Sequence, residues 1–184
     1  ICRVMIVLFN KPFNVLSQFT DNNNQSHDRK NLSNYINIPN IYPAGRLDKD
    51  SEGLLILTDQ GNFQSKISHP KYKMEKTYWV QVEGEVNNES LDKLSSGVIL
   101  KDGMTSKAKV KIINQPEQLW KRVPPIRERK IIPVQWLEIV ISEGRNRQIR
   151  RMTASIGHPT LRLIRAKIGK WTLNNLKSGS FEII

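Results

Sequence analysis

Residues 45–57 read Gly-Arg-Leu-Asp-Lys-Asp-Ser-Glu-Gly-Leu-Leu-Ile-Leu, so a charged loop leads directly into an apolar run. The continuous apolar residues 54–57 predict a strand that is buried on both faces. A loop held by such a strand is a common position for catalytic groups, and its glycines permit turns and close approach to a ligand. A carboxylate here could be a nucleophile, a general base or a metal ligand, or the loop could be a solvated turn with local ion pairs.

The flanking sequence predicts an α+β protein with a mainly antiparallel sheet, because strands outnumber the short helices and no strand–helix–strand rhythm recurs. A strand at residues 4–9 should end at the turn signal of residues 10–12 and form a hairpin with residues 15–19. Residues 21–30 are polar and predict an exposed loop. Further strands are predicted at 77–83, 107–113, 134–142, 161–168 and 181–184, and helices at 31–36, 61–68, 89–95 and 145–156.

The predicted strand at residues 77–83 alternates in polarity, which places Tyr78, Val80 and Val82 on one face. A tyrosine in such a strand is most often a packing residue. If a nucleic-acid site lies beside it, the same ring could instead stack on an extruded base.

The charge balance favours a polyanionic partner. The chain has 29 Lys and Arg against 17 Asp and Glu, a formal net charge of +12, and nucleic acid is the commonest partner of such a surface. Residues 143–152 read Glu-Gly-Arg-Asn-Arg-Gln-Ile-Arg-Arg-Met, which places four arginines near the start of the predicted helix at 145–156. Backbone N–H groups at a helix N-terminus and guanidinium groups both bind phosphate, although a solvated basic face is the simpler alternative.

A second basic segment lies at residues 119–133. It contains two adjacent prolines, which argue against regular structure, and it carries Arg127, Arg129 and Lys130 close to Trp120. Long irregular loops of this kind are often functional or disordered, and these cations are candidate contacts for a polyanionic partner.

Other functional classes find less support in the sequence. A single cysteine excludes an intramolecular disulfide, and with only three histidines it argues against a structural zinc site. No apolar run approaches the roughly 20 residues that cross a bilayer. The chain also lacks a Gly-x-Gly-x-x-Gly or P-loop pattern. We therefore expect a monomeric cytoplasmic protein with no metal, no cofactor and no membrane partner.

Four motifs, in order along the chain, resemble those of the RsuA/RluB/RluE/RluF-type pseudouridine synthases, and most closely the RluE type, which acts on large-subunit ribosomal RNA. They are residues 45–55, residues 76–80 (Lys-Thr-Tyr-Trp-Val), residues 143–152, and Leu163-x-Arg165-x-x-x-Gly169. Residues 10–12 also resemble the opening element of this family. The resemblance implies the α+β pseudouridine synthase fold, with flanking helices and a central cleft.

The resemblance also implies roles for single residues. Asp48 matches the nucleophile, and Arg150 matches the basic residue that forms an ion pair with it. Tyr78 matches the aromatic residue that stacks on the target base, Leu163 the apolar residue that lines the pocket, and Arg46 a position linked to flipping or holding the nucleotide. The remaining residues expected to contact substrate RNA are Arg127, Arg129, Lys130, Arg147, Arg151 and Arg165.

The implied reaction isomerises a specific uridine, most closely matching an enzyme of large-subunit rRNA, within one catalytic domain of residues 1–184 whose two lobes share a sheet. No N-terminal RNA-binding domain of the S4 type is expected. Small-subunit rRNA as substrate, and a non-catalytic rRNA-binding assembly factor of the same fold, remain alternatives. A third is a glycoside hydrolase that uses Asp48 with Asp50 or Glu52, although the basic surface fits a sugar substrate poorly.

Overall fold

A computed structural model describes residues 3–21, 29–127 and 129–184 of the chain. The chain forms two compact units. We call residues 1–74 with 166–184 the terminal unit, and residues 75–165 the central unit. Among the described residues, no helix is both long and apolar enough to span a membrane.

The secondary structure consists of short helices and many strands. The helices in the described ranges are α1 (Gly61–Ser68), α2 (Asn88–Ser96) and α3 (Gln148–Ser155), with single 3₁₀ turns at Leu32–Asn34 and Pro70–Tyr72. The strands are β1 (Ile6–Lys11), β2 (Val15–Leu16), β3 (Lys30–Asn31), β4 (Tyr42–Pro43), β5 (Glu52–Thr58), β6 (Lys76–Glu83), β7 (Ile99–Leu100), β8 (Gly103–Met104), β9 (Lys109–Ile113), β10 (Val134–Ile141), β11 (Thr160–Ile168), β12 (Trp171–Thr172) and β13 (Phe181–Ile183).

The terminal unit is built on an antiparallel pair. Strand β1 pairs with β5 along its whole length and with β13 on its other side, while β4 pairs with β5. Every residue of β5 is buried, as the continuous apolar run predicted. One face of the pair packs Phe9 and Leu55 against Leu32 and Ile36 of the following segment. This core supports the loop of residues 44–51, which leads into β5.

The predicted hairpin between residues 4–9 and 15–19 is wrong. The two antiparallel partners of β1 are β5 and β13, whereas β2 pairs in parallel with β3. Strand β1 continues through residues 10–11, where a hairpin turn was expected, and the chain turns only afterwards, at Asn14 with φ of 63°. Of the predicted loop at 21–30, residues 22–28 lie outside the described residues.

The central unit is built on three antiparallel strands, with β10 between β6 and β9. The alternation predicted for β6 is confirmed, because Tyr78, Val80 and Val82 are buried together in the core. Helices α2 and α3 contribute Leu94 and Met152 to the same core. Gln81 and Glu83 alternate with these residues and so lie on the opposite face of β6.

Helix α3 is shorter than predicted. It begins at Gln148 instead of residue 145, because Arg147 adopts a left-handed conformation with φ of 51° that interrupts the helical hydrogen bonding. Arg145 and Arg147 therefore precede the helix. The end is as predicted: Gly157 follows the helix with φ of 82°, and His158 N–H donates to the Thr153 carbonyl at 3.0 Å.

The other predicted elements are confirmed with small changes in length. They are α1, α2, β5, β6, β9, β10, β11 and β13, whereas the helix predicted at residues 31–36 is a single 3₁₀ turn at Leu32–Asn34. The described part of residues 119–133 contains no helix or strand, as its prolines indicated. The antiparallel pairing and the three short helices confirm the α+β class.

Candidate active site

Asp48 lies in the loop that connects β4 to β5 of the terminal unit. The preceding residue, Leu47, is buried in the core and fixes the loop by its side chain. The Ser17 hydroxyl donates to the Leu47 carbonyl at 2.6 Å and accepts from the Leu47 N–H at 3.1 Å. On the other side, Ser51 N–H donates to the Asp48 carbonyl at 3.0 Å. The backbone on both sides of Asp48 is thus held by specific contacts.

A buried lysine strengthens this arrangement. Lys11 at the end of β1 is 0% exposed, and its ammonium donates to the carbonyls of Pro12 at 2.7 Å, Val15 at 2.8 Å and Lys49 at 3.3 Å. Asn14 N–H donates to the same Lys49 carbonyl at 2.8 Å. The backbone of Lys49, directly after Asp48, is therefore held by hydrogen bonds from Lys11 and Asn14. The sequence analysis treated residues 10–12 only as a turn and a family element, although a lysine at the end of an apolar strand was a usable signal.

Arg46 is the other candidate residue of this loop. Its side chain is exposed, and one of its terminal nitrogens lies 3.4 Å from Gln18 Oε1. The loop of Asp48, including Arg46, and the lysine at position 11 all belong to the terminal unit.

Tyr78 and Leu163 belong to the central unit, and the structure brings them into one apolar cluster. Tyr78 is 9% exposed and Leu163 is 6% exposed. Ile149 and Met152 of α3 pack in the same cluster. The two residues implied to contact the target base are therefore held by packing, with little freedom to change rotamer.

Arg150 lies in the first turn of α3, next to the buried Ile149. Together with Arg147 and Arg151 it lines a surface depression of about 580 Å³, which Asn146 also lines. Three of the arginines predicted from residues 143–152 thus share one surface.

Arg151 and Arg145 hold a neighbouring turn. Arg151 forms a two-pronged ion pair with Asp102, at 2.8 Å to Oδ1 and 3.1 Å to Oδ2. Arg145 donates to the carbonyls of Gly103 at 3.1 Å and Met104 at 2.6 Å. The hydrogen bond from Arg151 holds the pKa of Asp102 below its usual value. Both arginines therefore brace the segment before α3 in addition to presenting charge to solvent.

Glu143 organises the same segment. Its carboxylate accepts from Ser106 N–H at 3.0 Å, from the Ser106 hydroxyl at 2.9 Å and from Gln148 Nε2 at 2.7 Å, and it pairs with Arg145 at 3.1 Å. Partial burial opposes ionisation, but these hydrogen bonds and the charge of Arg145 outweigh it and lower the pKa of Glu143. The start of α3, and with it Arg150, is fixed by this network.

Arg165 is 4% exposed, although the sequence analysis expected it to contact RNA directly. Burial and the nearby charge of Arg165 lower the pKa of Lys76, whose ammonium donates to the Glu143 carbonyl at 3.3 Å. Lys76 thus connects β6 to the segment before α3, a role that its place in the Lys-x-Tyr motif did not reveal.

The remaining predicted cations lie in the basic loop, by which we mean residues 119–133. Arg127, Arg129 and Lys130 are exposed and line a cavity of about 710 Å³. The loop is anchored at Trp120, whose carbonyl accepts from Arg162 at 2.9 Å and whose ring lies 5.6 Å from the Arg162 guanidinium carbon. These cations therefore form a surface separate from that of Arg147, Arg150 and Arg151. Within the described ranges, no group of three or more His, Cys, Asp or Glu residues is placed to hold a metal ion.

Comparison with known proteins gives a consistent result. The sequence profile of the family described as RNA pseudouridylate synthase matches residues 5–155. The chain is 53% identical to the ribosomal large subunit pseudouridine synthase E of Vibrio parahaemolyticus, over 97% of this chain and 73% of that protein. It is 50% identical to the protein of the same name from Xanthomonas campestris, over 97% of this chain and 95% of that protein. A crystal structure of a pseudouridylate synthase matches with a TM-score of 0.79 at 26% identity, covering 99% of this chain and 70% of that one.

The Glu143 network generates a prediction about stability and pH. A carboxyl with a lowered folded pKa stabilises the protein above its unfolded pKa, and this contribution is lost as the pH falls through the folded pKa. Glu143→Gln should therefore reduce the free energy of unfolding at neutral pH and weaken its dependence on pH as the pH falls below about 4.3, the ordinary pKa of a glutamate. Urea unfolding at a series of pH values measures both effects.

Glu117→Gln, at an exposed position of the central unit, is the matched control and should leave the pH profile unchanged. A Glu143→Gln profile that runs parallel to the wild-type profile would show that this carboxylate does not stabilise the fold.

Proposed function

The chain belongs to the RNA pseudouridylate synthase family, and we propose that it converts one uridine of large-subunit ribosomal RNA to pseudouridine. The observation that carries this proposal is the identity of 50% and 53%, over 97% of the chain, to proteins named for that activity. Membership of the RNA pseudouridylate synthase family argues against the alternative that the chain is a glycoside hydrolase. The same relatives favour large-subunit over small-subunit RNA, and the presence of Asp48, Tyr78 and Arg150 favours an enzyme over a non-catalytic assembly factor.

The reaction is a redox-neutral rearrangement. The N1–C1′ bond of uridine breaks, the uracil turns, a C5–C1′ bond forms, C5 loses its proton and N1 gains one. We assign the nucleophile to Asp48, since a carboxylate in this position can form a covalent intermediate. The hydrogen bond from Lys11 to the Lys49 carbonyl supports the assignment, because it fixes the backbone next to this carboxylate.

The central unit supplies the other proposed groups. The target uridine must leave its stack before reaction, which costs a few kcal/mol, and stacking on an aromatic ring offsets part of that cost. We assign this stacking to Tyr78 and the apolar pocket wall to Leu163, because both are held in one packed cluster. We propose that Arg150 is the positively charged catalytic residue that acts with Asp48 and Tyr78. We propose that Arg46 holds the extruded nucleotide.

We further propose that RNA phosphates contact Arg147 at the start of α3, Arg151 within α3, and the exposed cations of the basic loop. Arg165, which is buried, would act on RNA through the residues that it positions. The protein is proposed to act as a monomer in the cytoplasm, with residues 1–184 forming one catalytic domain.

Asp48→Asn should abolish pseudouridine formation while the protein stays folded and still binds RNA, because the amide keeps the shape of the side chain and removes its nucleophilicity. Mass spectrometry of unmodified large-subunit rRNA treated with each variant measures the product. Asp92→Asn, at an exposed position of α2, serves as the control and should retain full activity. Full activity of Asp48→Asn would refute the assignment of the nucleophile.

Tyr78→Phe should keep stacking and lose only the hydroxyl, so we expect kcat to fall by more than the affinity for RNA. Single-turnover kinetics together with equilibrium binding separate the two quantities. An equal loss in both would contradict a chemical role for the hydroxyl group.

Replacing Arg127, Arg129 and Lys130 together with Gln should weaken RNA binding and flatten its dependence on salt, since each phosphate contact releases about one counterion. Dissociation constants measured over a range of salt concentrations give this slope. The matched control is the triple replacement of Lys66, Lys71 and Lys73, three exposed cations of the terminal unit, by Gln. The control should keep the wild-type slope, and an unchanged slope in the variant of Arg127, Arg129 and Lys130 would remove the basic loop from the RNA interface.

A further inference from the structure

The cavity beneath the basic loop lies on a specific face of the central unit. The register pairs Trp136 with Gln81 and Val134 with Glu83, and all four residues line the cavity. Tyr78 and Val80 point to the other face of β6, into the core. The cavity is therefore separated from the Tyr78 side chain by the sheet itself.

The interior of this cavity is largely apolar. Trp136 is 6% exposed, and Leu119, Ile126 and Leu161 line the walls with it. A volume of about 710 Å³ falls within the range of small-molecule and cofactor pockets, which is roughly 300–1,000 Å³. The space is therefore large enough for a flat heterocyclic ring together with its sugar.

One polar group in the lining has an unmet hydrogen-bonding capacity. Gln81 Oε1 is buried and accepts no hydrogen bond within the described part of the chain. Buried polar atoms nearly always have a partner, and an amide offers both an acceptor and donors to a ring with N–H and carbonyl groups. Gln81 thus lines the cavity with an amide whose oxygen, once the side chain turns toward the cavity, would accept from the N–H of a nucleobase edge.

The rim of the cavity is basic. The loop contributes five cations, and Glu83 is the acid among the described lining residues. The cations are Lys121, Arg122, Arg127, Arg129 and Lys130. Arg122 also donates to the Pro124 carbonyl at 2.9 Å, and the contact of Arg162 with Trp120 ties the loop to β11. The rim thus offers positive charge from a loop that is anchored at its base.

We propose that this cavity binds one unpaired nucleotide of the RNA substrate, distinct from the target uridine. The base enters between the apolar walls and meets the Gln81 amide, while its flanking phosphates contact the rim cations. The proposal rests on the proposed function, since it takes the substrate to be RNA. It assigns the basic loop a role in selecting the substrate, by requiring an unpaired nucleotide in addition to the target uridine.

An acidic protein segment is the competing occupant. Charge at the rim would suit either partner, but apolar walls, an amide and cations at the mouth match the faces of a base, its polar edge and the flanking phosphates. A duplex segment would contact the rim alone, because its bases are not free to enter a cavity.

The test uses the full chain and a substitution that fills the cavity without changing charge. Val134→Trp adds an aromatic ring at an exposed strand position of the cavity wall, and Ile99→Trp adds the same ring at an exposed strand position outside it. We expect Val134→Trp to raise KM for unmodified large-subunit rRNA by about tenfold, the loss of one stacked base, with a much smaller change in kcat. Ile99→Trp should match the wild type.

A photo-crosslinking experiment identifies the occupant. With p-benzoylphenylalanine at Val123, an exposed residue at the edge of the cavity, irradiation with the same rRNA in a cell extract that contains assembling ribosomes should give one main crosslink, at an unpaired nucleotide other than the target uridine. An unchanged KM in Val134→Trp, crosslinks spread over duplex RNA, or crosslinks to a protein of the assembling ribosome in place of RNA would each overturn the proposal. If the wild-type chain forms no pseudouridine at all, it is the proposed function that fails, which the product assay shows independently.

Discussion

The ammonium group of Lys11 is buried in the terminal unit, and the geometry of the proposed catalytic loop depends on it. Removing such a charge from water is costly, and the cost is tolerated only where hydrogen bonds replace the lost hydration. Here the carbonyls of Pro12, Val15 and Lys49 supply those bonds. The Pro12 carbonyl follows β1, the Val15 carbonyl belongs to the short strand β2 and the Lys49 carbonyl lies in the loop of Asp48, so one ammonium joins three segments of the chain.

The same interaction explains the path of the chain after β1. A hairpin would return directly alongside β1, but the chain instead crosses toward the loop of Asp48, where Asn14 N–H meets the Lys49 carbonyl. The place beside β1 is then taken by β5, whose apolar residues require burial on both faces. The buried Lys11 thus links β1, the loop of Asp48 and β5 in the terminal unit.

Much of the fold was predictable because it depends on local periodicity. The buried run of β5, the alternation of β6 and the glycine that ends α3 were all visible in the sequence. The early start predicted for α3 was wrong because periodicity does not reveal the left-handed conformation of Arg147. Strand β1 and its partner β5 are far apart in the sequence, and so are Arg151 and Asp102. No local sequence pattern could therefore predict either contact.

The site residues were predicted by motif, and the structure adds how each is held. Packing fixes Tyr78 and Leu163, a carboxylate network fixes the start of α3, and backbone hydrogen bonds fix the loop of Asp48. The cavity beneath the basic loop was not foreseen, because its walls come from the outer face of β6 and β10, and only its rim cations stood out in the sequence.

The central claim is that this chain modifies one uridine of large-subunit rRNA. The most direct measurement is mass-spectrometric mapping of pseudouridine in large-subunit rRNA from cells that lack the gene for this chain. The account predicts the loss of one pseudouridine, which returns when the wild-type chain is supplied. A pseudouridine map identical to that of the parent cells would contradict it.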